Sequence, residues 1–164
     1  MNNRMPEKTI DTIEVPTADA MRDLGRRLAA ELRAGDLLVL TGPLGAGKTT
    51  LVQGIGEGLG VRGPITSPTF VIARVHPSLT GGPALVHADA YRLGGVAEID
   101  DLDLDATTAS SVTAVEWGEG LAEGLSDDRL EIAIDLRGDT RSVRLTGIGP
   151  RWAGDRPPGQ GPLP

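Results

Sequence analysis

Residues 42 to 49 read Gly42-Pro43-Leu44-Gly45-Ala46-Gly47-Lys48-Thr49, a full G-x-x-x-x-G-K-T match, and its flanks decide the fold. Immediately upstream stands the apolar run Leu37-Leu38-Val39-Leu40, and downstream Leu51, Val52, Ile55 and Leu59 fall on one face of a helix. A buried strand that turns through glycines into an amphipathic helix is the frame a phosphate loop requires. Gly42, Gly45 and Gly47 let backbone N–H groups curl around an anion, and the helix that follows aims its partial positive end at the same place. Lys48 then reaches the β- and γ-phosphates, and the Thr49 hydroxyl is placed for Mg²⁺. A ligand-free glycine turn would not need all eight positions and both flanks.

Composition reinforces that reading. Lysine occurs at two positions, Lys8 and Lys48, against 14 arginines, so a chain that otherwise takes arginine for positive charge has an ammonium in the loop. A guanidinium fork is bulkier and would not fit the cradle in the same way. The absence of cysteine excludes a disulfide scaffold, a Cys-ligated zinc site and thiol catalysis. A net charge of −7 argues against independent nucleic-acid binding, so any link to RNA is expected to run through a partner. No apolar run approaches a membrane span or a signal-peptide core, and the expectation is a cytoplasmic protein.

Outward from the loop, an alternating strand is expected over Thr9–Val15. A helix follows from Pro16-Thr17 to about Ala34, with Met21, Leu24, Leu28 and Leu32 inward and Gly35 as its stop. Further strands are expected at Phe70–Val75, at Ala84–His87 across a Gly81-Gly82-Pro83 turn, and at Ser111–Glu116. Weak helices are expected over Val96–Leu104 and around Leu121. A last hairpin has Leu130, Ile132, Ile134 and Leu136 on one arm, Val143 and Leu145 on the other, and one wet face. From Gly149 onward nine of 16 residues are Gly or Pro, which reads as a disordered tail with Trp152 idle in it. The chain therefore divides into a flexible N-terminus over 1–8, one domain over 9–148 and a tail over 149–164. The fold class is α/β: a P-loop NTPase-like three-layer domain with a mixed, mainly parallel central sheet and an antiparallel C-terminal hairpin.

Two acids end strands on the loop side. Asp89 closes Leu85-Val86-His87-Ala88-Asp89, the Walker-B position of an acid facing Mg²⁺, although an Asp at a strand end also serves as a simple turn residue. Glu116 closes the next strand, delivered to the same sheet edge, where it could bind Mg²⁺ or orient the attacking water. Thr66-Ser67-Pro68-Thr69-Phe70 is a hydroxyl-rich loop placed where nucleotide hydrolases keep a γ-phosphate switch, with Ser67 and Thr69 as its candidates. Five acids crowd into residues 98–105, but their spacing matches no Ca²⁺ loop and reads as a solvated helix. His76, beside Pro77 in an expected loop, is assigned no role.

Gly42–Thr50 (GPLGAGKTT), Ser67–Phe70 (SPTF), His87–Arg92 (HADAYR) and Glu116-Trp117 (EW), in this order in a short acidic chain, closely resemble the TsaE family. Those are the small P-loop ATPases of bacterial tRNA threonylcarbamoyladenosine biosynthesis. The resemblance covers roughly residues 10 to 146, and its HxDxYR and EW pieces are more specific than the loop. It implies an ATP- and Mg²⁺-binding enzyme, slow alone, that works with two ASKHA-fold proteins, TsaB and TsaD, and meets tRNA only through that complex. Residue by residue it implies that Gly42, Gly45, Ala46 and Gly47 line the phosphates, with Lys48 at the β/γ-phosphates, Thr49 at Mg²⁺ and Thr50 at the α-phosphate. Asp89 and Glu116 would supply the acids, Trp117 would lie near the nucleotide, and Arg141 and Thr17 would make adenine-side contacts. His87, Tyr91 and Arg92 would form a signature turn for positioning or partner contact. Pro43 replaces the family's usual acidic residue and removes one N–H from the loop.

Other classes fit less well. A small-molecule kinase would need an arginine-rich lid and a second pocket, and little chain remains to build one. A GTPase would need N-K-x-D, yet the asparagines are Asn2 and Asn3. The D-x-x-G at Asp135–Gly138 falls in the terminal hairpin turn. A non-hydrolysing ATP sensor is the remaining rival, since phosphate binding alone does not make a catalyst.

Overall fold

The computed structural model describes residues 7–43, 46–63, 65, 73–89, 110–116 and 128–152. In chain order these form β1 (Glu7–Val15), α1 (Ala18–Ala29), β2 (Leu37–Thr41), α2 (Lys48–Leu59), β3 (Ala73–His76), β4 (Ala84–Asp89), β5 (Ser111–Glu116), β6 (Arg129–Arg137) and β7 (Thr140–Ile148). A 3-10 turn over Pro150–Trp152 follows. The seven strands make one sheet in the order β1-β7-β6-β2-β5-β4-β3. Four adjacent strands, β6, β2, β5 and β4, are mutually parallel, and antiparallel strands flank them on both sides.

Parallel strands covered on both faces carry near-continuous apolar runs; β2 is of that type, and β5 is buried at every position although Ser111, Thr113 and Glu116 interrupt its apolar residues. Leu38, Leu40, Leu85, Val112, Ala114, Leu130 and Ile132 join one core cluster with Leu51, Val52 and Ile55 of α2. Leu37, Val39, Val86 and Val115 point to the opposite face and are buried there as well. Both faces of the central strands are therefore covered, as a three-layer α/β domain requires.

The helix of the first layer is shorter than its sequence pattern. Hydrogen bonding tightens to the i→i+3 type after Ala29, with Glu31 N–H donating to Leu28 O at 2.9 Å and Leu32 N–H to Ala29 O at 3.1 Å. The chain thus leaves the helix about five residues before the expected Ala34, while Leu32 still packs in the core. Leu136, expected inward, is 47% exposed because β6 runs past the core toward the Gly138 turn. The wet face expected of β7 is also incomplete. β1 pairs along its free side, and Ser142 and Thr146 are buried.

Trp152 corrects the expectation of an idle tail residue: it is 5% exposed and belongs to the core cluster. Arg151 beside it donates from Nε to Asp36 Oδ1 at 2.9 Å, and from Nη2 to Asp36 Oδ2 at 3.0 Å and Glu31 O at 2.7 Å. Its guanidinium also lies 4.2 Å over the Trp152 ring. Ordered structure continues at least to Trp152, four residues beyond the boundary expected at 148, and β1 begins at Glu7. The expected helices over Val96–Leu104 and around Leu121 lie outside the described residues.

Glycines set how closely α1 and α2 approach. A Cβ on Gly25 would stand 2.4 Å from Leu51 O, one on Gly54 2.0 Å from Arg22 O, and one on Gly58 2.5 Å from Ala29 Cβ. Across this contact Arg26 Nε meets Glu57 Oε2 at 2.7 Å, an exposed pair that adds little energy but agrees with the register. Alanine in place of glycine normally favours a helix by about 1 kcal/mol. At Gly54 the sign reverses, because backbone must move. Gly54→Ala is expected to destabilise the fold by about 1–3 kcal/mol in urea unfolding, while Gly63→Ala, with one atom at 3.9 Å, stays within about 0.5 kcal/mol. Equal midpoints for the two variants would refute the backbone-contact account.

The C-terminal clasp makes a second stability prediction. A chain ending at Ile148 leaves the buried Asp36 carboxylate without its guanidinium and should lose about 3 kcal/mol or more relative to one ending at Ala153. Superimposable denaturation curves would show that the clasp contributes nothing.

Candidate functional site

The phosphate loop leaves β2 at Thr41 and enters α2 at Lys48. Gly42 has φ +151°, and a Cβ there would stand 2.7 Å from Ile134 O, so the loop's first residue lies against the backbone of β6. Gly47 has φ +108° and is the N-cap of α2, which therefore has no side-chain cap and no acid in its first turn. By contrast, α1 is capped by the Thr17 hydroxyl, which accepts from Ala20 N–H at 3.0 Å, and has Asp19 in its first turn. First-turn amides have no acceptor within the helix, so the bare N-terminus of α2 offers donors and positive potential to an anion.

Lys48 is buried, and its ammonium donates to Gly42 O at 2.6 Å and Pro43 O at 3.0 Å. Pro43 O also accepts from Ala46 N–H at 3.1 Å. Thus Pro43, which brings no N–H, shapes the loop as an acceptor. Ala46 is fully buried and Thr49 and Thr50 are half-buried at the mouth of the helix.

Register brings the acids to this edge. Leu40 of β2 pairs with Glu116 of β5, and Glu116 pairs with Asp89 of β4. The carboxylate of Glu116 is nearly buried and accepts a hydrogen bond from His87 Nε2, whose ring is fully buried. His87 lies on β4 opposite Ala114, two residues before the Asp89–Glu116 pair. The nitrogen on the other side of the ring, Nδ1, has no hydrogen-bond partner among the described residues. His76 proves to be the last residue of β3, buried, with Nδ1 3.3 Å from Arg62 O. Burial pushes its pKa below the ordinary 6.5, against the opposing pull of the Arg62 carbonyl.

The outlying candidates fall unevenly. Arg141 pairs with Val15 of β1, and its Cδ would lie 3.7 Å from a Cβ on Gly47, so it stands beside the loop. Met21, one helical turn beyond Thr17, packs on Gly47 beside it. Arg141 thus stands beside the loop, whereas the contacts of Thr17 are with Ala20 and Met21 at the start of α1. Gly45, the switch candidates Ser67 and Thr69, and Trp117, Tyr91 and Arg92 lie outside the described residues, as does the side chain of Asp89. Among the described residues no three His, Cys, Asp or Glu side chains cluster as a metal cage. Magnesium needs none, since it keeps waters and phosphate oxygens and takes one or two protein oxygens. The hydroxyl of Thr49 and the carboxylate of Glu116 are hard donors of that kind.

The family model for the threonylcarbamoyl adenosine biosynthesis protein TsaE matches residues 15–143. This chain belongs to the TsaE family. A tRNA threonylcarbamoyladenosine biosynthesis protein TsaE from Streptomyces coelicolor is 66% identical over 139 residues, 81% of this chain and 94% of that protein. The TsaE of Bacillus subtilis is 39% identical over 131 residues, 79% of this chain and 80% of that protein. Among solved structures, the crystal structure of Bacillus subtilis YdiB superposes with a TM-score of 0.70 at 29% identity, covering 92% of each chain. Membership of the TsaE family agrees with the order of motifs in the sequence and with the α/β sheet described above.

Proposed function

We propose that this chain binds ATP with Mg²⁺ in the phosphate loop and hydrolyses it, in support of threonylcarbamoyladenosine formation on tRNA by a TsaB–TsaD complex. The observation that carries the reading is Lys48 folded into its own loop at an uncapped helix N-terminus, with Glu116 in register on the adjacent strand. In nucleotide-free protein the ammonium rests on the Gly42 and Pro43 carbonyls. When a triphosphate enters, Lys48 exchanges those acceptors for β- and γ-phosphate oxygens, which bind it more strongly because they are charged. The amides at the start of α2 hold the same oxygens without reorganising, a preorganised anion site of the type that lowers phosphoryl-transfer barriers. Thr49 and the strand-end acids would hold Mg²⁺, which would supply positive charge to the β- and γ-phosphate oxygens. Glu116 then orients the attacking water or holds the metal.

Partner dependence is consistent with the charge. At −7 the chain is a poor independent ligand for tRNA, and its route to RNA runs through TsaB and TsaD. No described helix is long and apolar enough to cross a membrane.

Two substitutions separate binding from turnover. Lys48→Ala should weaken ATP·Mg²⁺ binding on the order of 10–100-fold in calorimetry, having lost a charge-assisted contact. Glu116→Ala should bind within a few-fold of wild type and lose on the order of 10²–10⁴ in turnover. Unchanged nucleotide affinity in Lys48→Ala defeats the site assignment. Phosphate release should also rise when TsaB and TsaD are added to the wild-type chain; no release with or without them would make the chain an ATP sensor.

A further inference from the structure

Two histidines occur in the chain, and they are held in opposite ways. His76 faces the Arg62 carbonyl through Nδ1, and a carbonyl only accepts, so Nδ1 carries the proton. His87 faces the Glu116 carboxylate through Nε2, and by the same reasoning Nε2 carries the proton. With Nδ1 of His87 buried and unpartnered, a proton there would be an unsatisfied donor, and the Nε2–H form places its one donor on the carboxylate.

We propose that His87 is a positioning residue for Glu116: its Nε2–H ties down one carboxylate oxygen and leaves the other to act in ATP hydrolysis. The inference rests on the hydrolytic reading above. Glu116 has three side-chain torsions and stands at the end of β5, with His87 as its hydrogen-bonding partner among the described residues. An untethered glutamate there would spread over several rotamers, and only some would face the phosphate loop. The tether is short and rigid because it spans two strands already in register, His87 opposite Ala114 and Asp89 opposite Glu116. It also makes the carboxylate monodentate toward anything else. A metal ion or a water can then be met by a single oxygen at a fixed place.

The prediction joins a spectroscopic signature to a kinetic split. In ¹⁵N NMR of the nucleotide-free wild-type chain, His87 should show protonated Nε2 and bare Nδ1, with His76 the reverse, the two assigned by His76→Gln. Single-turnover hydrolysis by full-length His87→Leu should fall at least about tenfold with ATP·Mg²⁺ affinity within about threefold of wild type. His87→Gln, which offers an amide N–H at similar reach, should recover most of the rate, whereas a residue serving only to fill space would gain nothing from that amide. The opposite tautomer at His87, or a folded His87→Leu that hydrolyses like wild type, overturns the positioning role. If His87→Leu does not fold, the tautomer and the rate of His87→Gln decide: a Gln variant that binds ATP but hydrolyses at least about tenfold more slowly than wild type also overturns it. A wild-type chain that binds ATP and never hydrolyses it, alone or with TsaB and TsaD, overturns the hydrolytic reading and the positioning role with it.

Discussion

The parallel register of β2, β5 and β4 is the constraint on which the site depends. Leu40, Glu116 and Asp89 stand level across three strands, and two residues past Leu40 the chain becomes the phosphate loop. A strand's side chains alternate, so a slip of one residue in β5 would move Glu116 to the far face and bring Val115 into its place. That slip is expensive, because Val112 and Ala114 would leave the core cluster at the same time. The apolar pattern of β5 thus holds a carboxylate in position without touching it.

The same economy governs the loop. Its geometry depends on the close approach of Gly42 to the backbone of β6, on the positive φ of Gly47 beside the Met21 and Arg141 side chains, and on where α2 lies. The position of α2 is in turn fixed against α1 through Gly25, Gly54 and Gly58. These glycines break the usual preference for good helix formers, and their cost is offset by letting two helices meet nearly backbone to backbone. Anchored in this way, the N-terminus of α2 can stay uncapped and keep its amides for a ligand.

Much of this was legible in the sequence because it follows local rules. β2 could be read from its continuous apolar run, the face of α2 from its 3.6-residue period, and the start of α1 from Pro16-Thr17. Three features were not legible, each for a physical reason. The end of α1 at Ala29 is set by tertiary contacts: Glu31 O receives Arg151 from 120 residues away. Trp152 sits in a segment whose composition reads as disordered, and its burial depends on Asp36 holding Arg151, a pairing no local pattern encodes. The His87–Glu116 bond joins residues 29 apart on neighbouring strands, and it becomes visible only once the strand order places β4 beside β5.

Two buried polar pairs remain, and how fully each is satisfied separates their roles. Arg151 and Asp36 form a two-pronged contact; the arginine adds Glu31 O and its backbone N–H meets Asp128, while the aspartate also accepts from Arg33 N–H. Every contact there is internal to the fold, as expected of a pair whose work is structural. His87 and Glu116 make one bond between them, and the imidazole keeps a bare buried nitrogen. Desolvating a carboxylate for a single hydrogen bond is a poor way to stabilise a fold, since an apolar pair of similar volume would do as well or better. The incomplete pair stands at the C-terminal edge of parallel strands beside an uncapped helix, where the missing partner of the carboxylate can be a bound water or ion. Unsatisfied polarity at that edge is what the fold retains for chemistry, and it costs stability that the Arg151–Asp36 pair at the other end of β2 helps to offset.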